Sequence, residues 1–288
     1  MVISPLIRRA LLATLLVLPA AGGSAADLSV LATFSSGDYG NETESDIQQT
    51  WLRFATGDRY QFRIATSYLS VETTDLLVQP RYGAVPVQRG KMQGQGNSSG
   101  NAGSDPASPP ILPVTTSANG LGDVWVSGFV RLLGGGAKVY RMDSGVEVKA
   151  PTADEEQLLG TGEWDYRFAL SGEYYFWTAS TFGAVGWNRL GDPEWVDLND
   201  VLDFLVGAES EPLWDKLILS GWVEGNQEIV EGTGNRAALG LGIRSTGRFR
   251  WRLMATAGLG GSAEKFGFAF GLSMGVEPPK TGLGGLGL

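Results

Sequence analysis

Arginine and carboxylate residues recur along this chain at alternating positions, a spacing that gathers side chains on one face of β-strands. On such faces stand Arg53, Arg63, Arg131, Arg141, Arg167, Arg244, Arg250 and Arg252, against Asp123, Glu147, Asp165, Glu173, Asp203, Glu209 and Glu224. Two chemistries fit this set. One is an ion-pair lattice that fills a narrow interior, and the other is a charged constriction that selects small polar or anionic solutes. The candidate selectivity residues are Arg63, Arg131, Arg167, Arg250, Arg252, Glu147, Asp165, Glu173 and Glu224. A three-residue turn at Ser245-Thr246-Gly247 would set Arg250 and Arg252 opposite Gly242 and Gly240, which leaves the guanidinium groups room to lie along the wall.

Other chemistries fit less well. Asp192, Glu194, Asp197 and Asp200 crowd the segment DPEWVDLND, but without the pattern of an EF-hand loop they read as a solvated loop rather than a calcium site. Asp123 and Asp165, each shortly after a glycine, suggest strand-end turns more than a carboxylate pair for acid-base catalysis. The chain has no histidine and no cysteine. Ser-His-Asp hydrolysis, the usual zinc sites, thiolate ligands and disulfides are therefore excluded. We expect no enzyme, no cofactor and no metal.

The elements that must position the charges are strands. From Asp123 onward Trp125, Ser127, Phe129 and Arg131 alternate with Val124, Val126, Gly128, Val130 and Leu132. Further on, Trp164, Tyr166, Phe168, Leu170, Tyr174 and Phe176 share one face, and Asp165, Arg167, Ser171 and Glu173 the other. Tyr60, Phe62, Ile64, Thr66 and Tyr68 alternate with Arg59, Gln61, Arg63, Ala65 and Ser67, and the run 266–276 alternates aromatic or aliphatic residues with glycine, alanine and serine. Apolar faces this aromatic suit lipid better than a soluble core. Strands are expected at 27–35, 47–55, 59–72, three within 119–176, and at 181–190, 201–210, 216–226, 235–244, 248–260 and 265–276. Short connections such as TGD, GGGA and STG alternate with longer ones. That alternation predicts an all-β fold: a transmembrane up-and-down antiparallel barrel of about 12 strands, with short periplasmic turns and long external loops.

The first 26 residues, with Arg8 and Arg9 before an apolar run and small residues after it, read as a cleaved secretory signal peptide. Residues 27–277 would form the barrel and 278–288 a tail. Within the barrel, 73–119 is expected to be a long external loop, disordered over its Gly/Ser/Asn/Pro-rich part, with flanks at Leu76, Leu77, Val78, Tyr82 and Ile111 that could cover the mouth. Removing the leader leaves 20 basic against 31 acidic residues, a net charge of −11, which gives no electrostatic case for nucleic acid. Nine Trp, eight Tyr, twelve Phe and 42 Gly suit the girdles and turns of a barrel. The expected partners are outer-membrane lipid, a small-molecule solute and the barrel-assembly machinery.

Three local motifs add a resemblance. Gly120-Leu121-Gly122-Asp123 at a strand start, Pro151-Thr152 closing the next strand, and Leu159-Gly160-Thr161-Gly162 with Asp165 resemble the outer-membrane family named for a meta-cleavage pathway of phenol degradation. That resemblance implies a barrel transporter in the bacterial outer membrane and points to hydrophobic or aromatic compounds. The expected function is thus a passive channel or uptake protein for small molecules. The alternative is a closed structural or biogenesis barrel whose lumen is plugged by ion pairs.

Overall fold

The structure is a computed structural model that describes residues 26–38, 44–73, 76–78, 85–87, 116–134, 139–155, 157, 159–193, 196–214, 216–260, 263 and 265–275. The first strand, β1 (Ala26–Asp38), pairs on one side with β2 (Glu44–Gly57) and on the other with the last, β15 (Phe266–Gly275). The main sheet therefore closes on itself. β2 pairs with β3 (Tyr60–Thr73), and a separate small hairpin of β4 (Leu76–Val78) and β5 (Val85–Val87) follows. Next come β6 (Thr116–Leu121) and β7 (Val124–Gly134), which pair with successive halves of β3 and make one wall position interrupted at Gly122 and Asp123.

The wall continues through β8 (Tyr140–Ala150), β9 (Asp165–Tyr175), β10 (Ala179–Arg189) and β11 (Val201–Ser210). It is completed by β12 (Leu217–Asn226), β13 (Arg236–Ser245) and β14 (Phe249–Gly258). Each is antiparallel to its neighbours, so the fold is a closed up-and-down barrel of twelve wall positions. This is the architecture the alternating pattern predicts. The wall reaches into the segment expected as loop, since Thr116 to Asn119 already pair with β3. Residues 1–25, 88–115 and 276–288, which hold most of the expected leader and all of the expected tail, and the flank residues Tyr82 and Ile111 lie outside the described residues.

Burial in this barrel is reversed relative to a water-soluble domain. Arg167 and Lys149 are each only 1% exposed, whereas Phe268 is 56% and Leu241 64% exposed. Charged residues almost never occupy a soluble core, and monomeric soluble proteins rarely show continuous apolar surface of this extent. The outer face is apolar at mid-height, with Ile64, Val146, Leu170, Val206, Leu219 and Leu253 exposed. Aromatics gather toward both rims: Tyr60, Tyr174, Phe176 and Trp177 at the short-turn end, and Trp164, Tyr166, Trp187 and Phe266 at the long-loop end. Two girdles around an apolar band are what a bilayer's two interfaces select.

The short turns are tight. Gly57 holds φ at 106°, and a Cβ there would lie 1.9 Å from the carbonyl oxygen of Tyr60, so the turn into β3 needs glycine. Two of the long connections pack together: Leu190, Leu198 and Val201 meet Ile229 and Val230, joining the β10–β11 and β12–β13 connections.

Candidate functional site

The barrel interior is built in layers, and strand register decides which side chains meet. At the long-loop end, β8 and β9 place Lys149 opposite Asp165, with Glu147 opposite Arg167 one inward step below. Lys149 Nζ lies 2.8 Å from Asp165 Oδ2, 3.3 Å from Asp123 Oδ2 and 2.8 Å from Thr161 Oγ1. The other carboxylate oxygens cap backbone. Asp123 Oδ1 accepts from the amides of Thr152 and Ala153, both at 3.0 Å, and Asp165 Oδ1 accepts from Gly191 N at 3.0 Å. Both aspartates are thus engaged by one ammonium and by strand-end amides, as the turn reading expects. Val124 N in turn donates to Thr152 Oγ1 at 3.0 Å.

This knot holds residues 159–161 of the β8–β9 connection inward. Its Leu159, 3% exposed, packs on Ile47, Leu69 and Val71 of the inner wall, and a Cβ on Gly120 would come 2.5 Å from Leu159 Cδ1. The β8–β9 connection is therefore one described part of the chain that packs on the inner wall at this end. The three motifs at 120–123, 151–152 and 159–165 converge here in space.

One layer below, Arg167 is the hub. Its Nη1 is 2.6 Å from Glu147 Oε1, while Nη2 and Nε are 2.7 Å and 3.0 Å from the two oxygens of Asp203. Asn188 adds a donor to Asp203 Oδ2 at 2.6 Å. To span from β9 to β11 the guanidinium passes over β10, and it can because the inward position there is Gly186. A fork that satisfies two carboxylates from one cation is the strong form of charge-assisted bonding.

At mid-height the two sides differ. On the wall from β10 to β14, Phe182, Leu205 and Trp222 cluster with Met254. Trp222 lies flat across β13, where a Cβ on Gly240 would come 2.0 Å from its ring and one on Gly242 3.3 Å. On the wall from β14 round through β1, β2, β3 and β7 to β8, a small recess of about 40 Å³ remains. Ser29, Leu31, Ala65 and Ser127 form its small and apolar lining, and Trp51, Trp125, Arg53, Arg63, Arg252 and Glu147 its rings and charges. Arg63 is held with its guanidinium carbon 4.6 Å from the centre of the Phe129 ring and Nη2 3.0 Å from Gln61 Oε1.

Toward the short turns a second set of pairs lines the interior. Arg131 Nη2 reaches Asp58 Oδ1 at 2.8 Å and its Nε lies 3.8 Å from Asp143, while Arg141 Nε is 2.6 Å from Asp143 Oδ2. Arg244 meets Glu209 at 3.3 Å, and Tyr175 Oη donates to Glu173 Oε2 at 2.6 Å. Arg250 pairs with Asp27 and donates to the carbonyls of Gly247 and Gly275 at 2.9 and 3.0 Å, which ties the last hairpin to the first strand.

The candidate selectivity residues therefore separate into groups. Arg167 and Glu147 meet each other; Asp165 belongs to the knot; Arg131, Arg250 and Glu173 lie near the short turns; Arg63 and Arg252 share the recess. Glu224 is half-buried on the inner face of β12, in register with Leu205 and Ala238. The expected register of Arg250 and Arg252 against Gly242 and Gly240 is wrong. Arg252 faces Arg244, and Gly242 and Gly240 face Met254 and Thr256. The turn is wider than Ser245-Thr246-Gly247 because Ser245 Oγ accepts from Trp251 N at 2.9 Å. Lys149 was not among the candidates, since the sequence shows only one lysine on a strand end and cannot show the two aspartates from other strands that meet it. In the acidic loop, Asp192 Oδ1 accepts from Leu198 N at 2.8 Å, and among the described residues no cluster of acidic side chains could hold a metal ion.

No family model matches the chain, and no curated protein matches it either. Solved structures do. An outer membrane channel from Pseudomonas putida F1 superposes with a TM-score of 0.62 at 10% identity, over 88% of this chain and 95% of that one. The translocator domain of the autotransporter NalP from Neisseria meningitidis gives 0.46 at 10% identity, over 94% of each chain. The transport unit of the autotransporter AIDA-I from Escherichia coli gives 0.47 at 7% identity, over 90% of this chain and 92% of that one. The first of these likenesses establishes a shared barrel fold.

Proposed function

We propose that this chain is a bacterial outer-membrane barrel through which small molecules pass passively, exported behind a leader at 1–26 and inserted by the barrel-assembly machinery. The observation that carries this reading is the wall itself: twelve antiparallel strand positions close on each other, with an apolar outer face and a charged, polar inner face. The shared fold with an outer membrane channel supports it. The motifs at 120–123, 151–152 and 159–165 resemble those of the phenol-degradation family and favour aromatic or hydrophobic solutes. A specific observation favours the second reading, a closed structural barrel. Leu159 and the Lys149 knot hold the β8–β9 connection over the inner wall, and ion pairs cross the interior above and below the recess.

Current across planar bilayers separates the two. A channel gives steps of conductance with wild-type protein, and Leu159→Ser, which releases the connection from Ile47, Leu69 and Val71, raises the mean current. Silence from both proteins, with folding confirmed by a heat-modifiable gel shift, would assign the chain to the structural class.

A further inference from the structure

Four inward-facing residues on two neighbouring strands form a square near the short-turn end. Arg141 and Asp143 of β8 stand in register with Glu173 and Ser171 of β9, and all four are buried. Arg141 has two carboxylates within its reach: Asp143 two positions along its own strand, and Glu173 directly across, where facing side chains of an antiparallel pair have Cβ atoms about 5 Å apart. In the structure it is turned toward the first. Its Nε lies 2.6 Å from Asp143 Oδ2, while Nη1 and Nη2, both buried, have no hydrogen-bond partner among the described residues. Glu173 is likewise turned along its own strand, with Oε2 accepting from Tyr175 Oη at 2.6 Å. The terminal nitrogens carry most of a guanidinium's donors, and burying them unmet is costly, so an arrangement that uses them lies close in energy. Asp143 does not depend on Arg141 alone. Arg131 Nε, buried and without a hydrogen bond, lies 3.8 Å from Asp143 Oδ1, and Ser171 Oγ, also buried and unbonded, stands opposite Asp143 across the strands.

From this square we infer that Arg141 is a two-position switch that exchanges Asp143 for Glu173. In the second position the guanidinium pairs across the strands, where opposite charges that face each other stabilise a sheet, and Asp143 passes to Arg131 and Ser171. Two packed arrangements of one cluster, each with its own set of pairs, are what a discrete transition needs. The exchange moves one positive charge by two strand positions, which is about 5 Å along the barrel axis for a strand tilted by about 40°. That displacement crosses roughly a fifth of an apolar band about 25 Å tall, so a transmembrane potential biases the two positions by about twofold for each 100 mV. The inference rests on the channel reading for its effect on current, because the moved guanidinium alters the charge that a passing solute meets at the short-turn end. The exchange itself stands without that reading.

Two measurements test the switch, one of them independent of conduction. Denaturant titration in lipid vesicles compares Asp143→Asn, Glu173→Gln and the double variant. Each single variant leaves Arg141 a carboxylate and lowers the midpoint modestly, whereas the double variant lowers it by more than the two shifts added together. A double variant that fails to fold while both singles fold is the same result in stronger form. In planar bilayers the refolded full chain steps between two current levels whose occupancy ratio changes by about twofold per 100 mV and reverses with polarity. Glu173→Gln leaves a single level, and Tyr175→Phe, which removes one donor from Glu173, raises the occupancy of the second. Additive midpoint shifts, a single variant that cannot fold, or levels in a conducting protein that ignore voltage overturn the switch. Excess cost in the double variant with silent bilayers upholds the switch and defeats the channel; steady current with additive shifts upholds the channel and defeats the switch.

Discussion

Arg167 reaches Asp203 by lying across Gly186: a Cβ on that glycine would sit 2.6 Å from both Nε and Nη2 of the guanidinium and 2.5 Å from Asp203 Oδ2. Gly186→Ala therefore pushes a buried, fully engaged cation off its fork. The expected cost is about 1–3 kcal/mol, and Asp203→Ala, which leaves the cation short of a partner, costs about 3–5 kcal/mol. Denaturant titration of the folded barrel in lipid vesicles measures both, and a neutral Gly186→Ala would show that Arg167 finds another route.

Lys149 makes a stricter case because it answers two aspartates. Lys149→Met leaves Asp123 and Asp165 buried near each other without their shared cation and destabilises by about 3–5 kcal/mol. Adding Asp165→Asn restores part of that loss, since an amide oxygen still accepts from Gly191 N. A double-mutant cycle with strictly additive costs would mean that the pair is not coupled.

The outer wall predicts a depth-dependent penalty. Leu253 and Phe270 are cross-strand partners near mid-height, and both are exposed to the membrane side. Leu253→Arg and Phe270→Arg each cost roughly 2–4 kcal/mol in vesicles. Ala269, one position away and facing inward, tolerates serine with little loss. Equal tolerance on the two faces contradicts a lipid-embedded wall.

Orientation is testable at described positions. With the long loops outside, a cysteine at Asp197 is labelled on whole cells by an impermeant maleimide, and one at Arg248, in the short turn before β14, is protected. The opposite labelling pattern would place the mouth with the Lys149 knot in the periplasm.

Much of the fold was legible because the side-chain period of a strand is two and a membrane wall inverts the usual preference. The runs around Tyr166 and Phe268 declare both the strand and the side that faces lipid. Turn widths were not legible. Ser245 bonding to Trp251 widens one hairpin and moves Arg250 and Arg252 off the expected glycines, and that depends on a side-chain hydroxyl replacing a backbone partner. The residues of the interior were half visible. Glu147 and Arg167 announce themselves by charge on an inward face, whereas Trp51, Trp125 and Lys149 gain their meaning only from strands far apart in sequence. Glycines 186 and 240 carried a signal that could be read: an inward glycine beside bulky inward neighbours marks where a side chain from the next strand crosses.

The pair that joins Asp27 to Arg250 spans 223 positions of chain. The strand made first is thus sealed by a hairpin made last, and no earlier segment can take its place, because the opposite edge of β1 belongs to β2. Until β15 pairs with β1 the sheet has two open edges, and such edges are liable to pair with those of another copy.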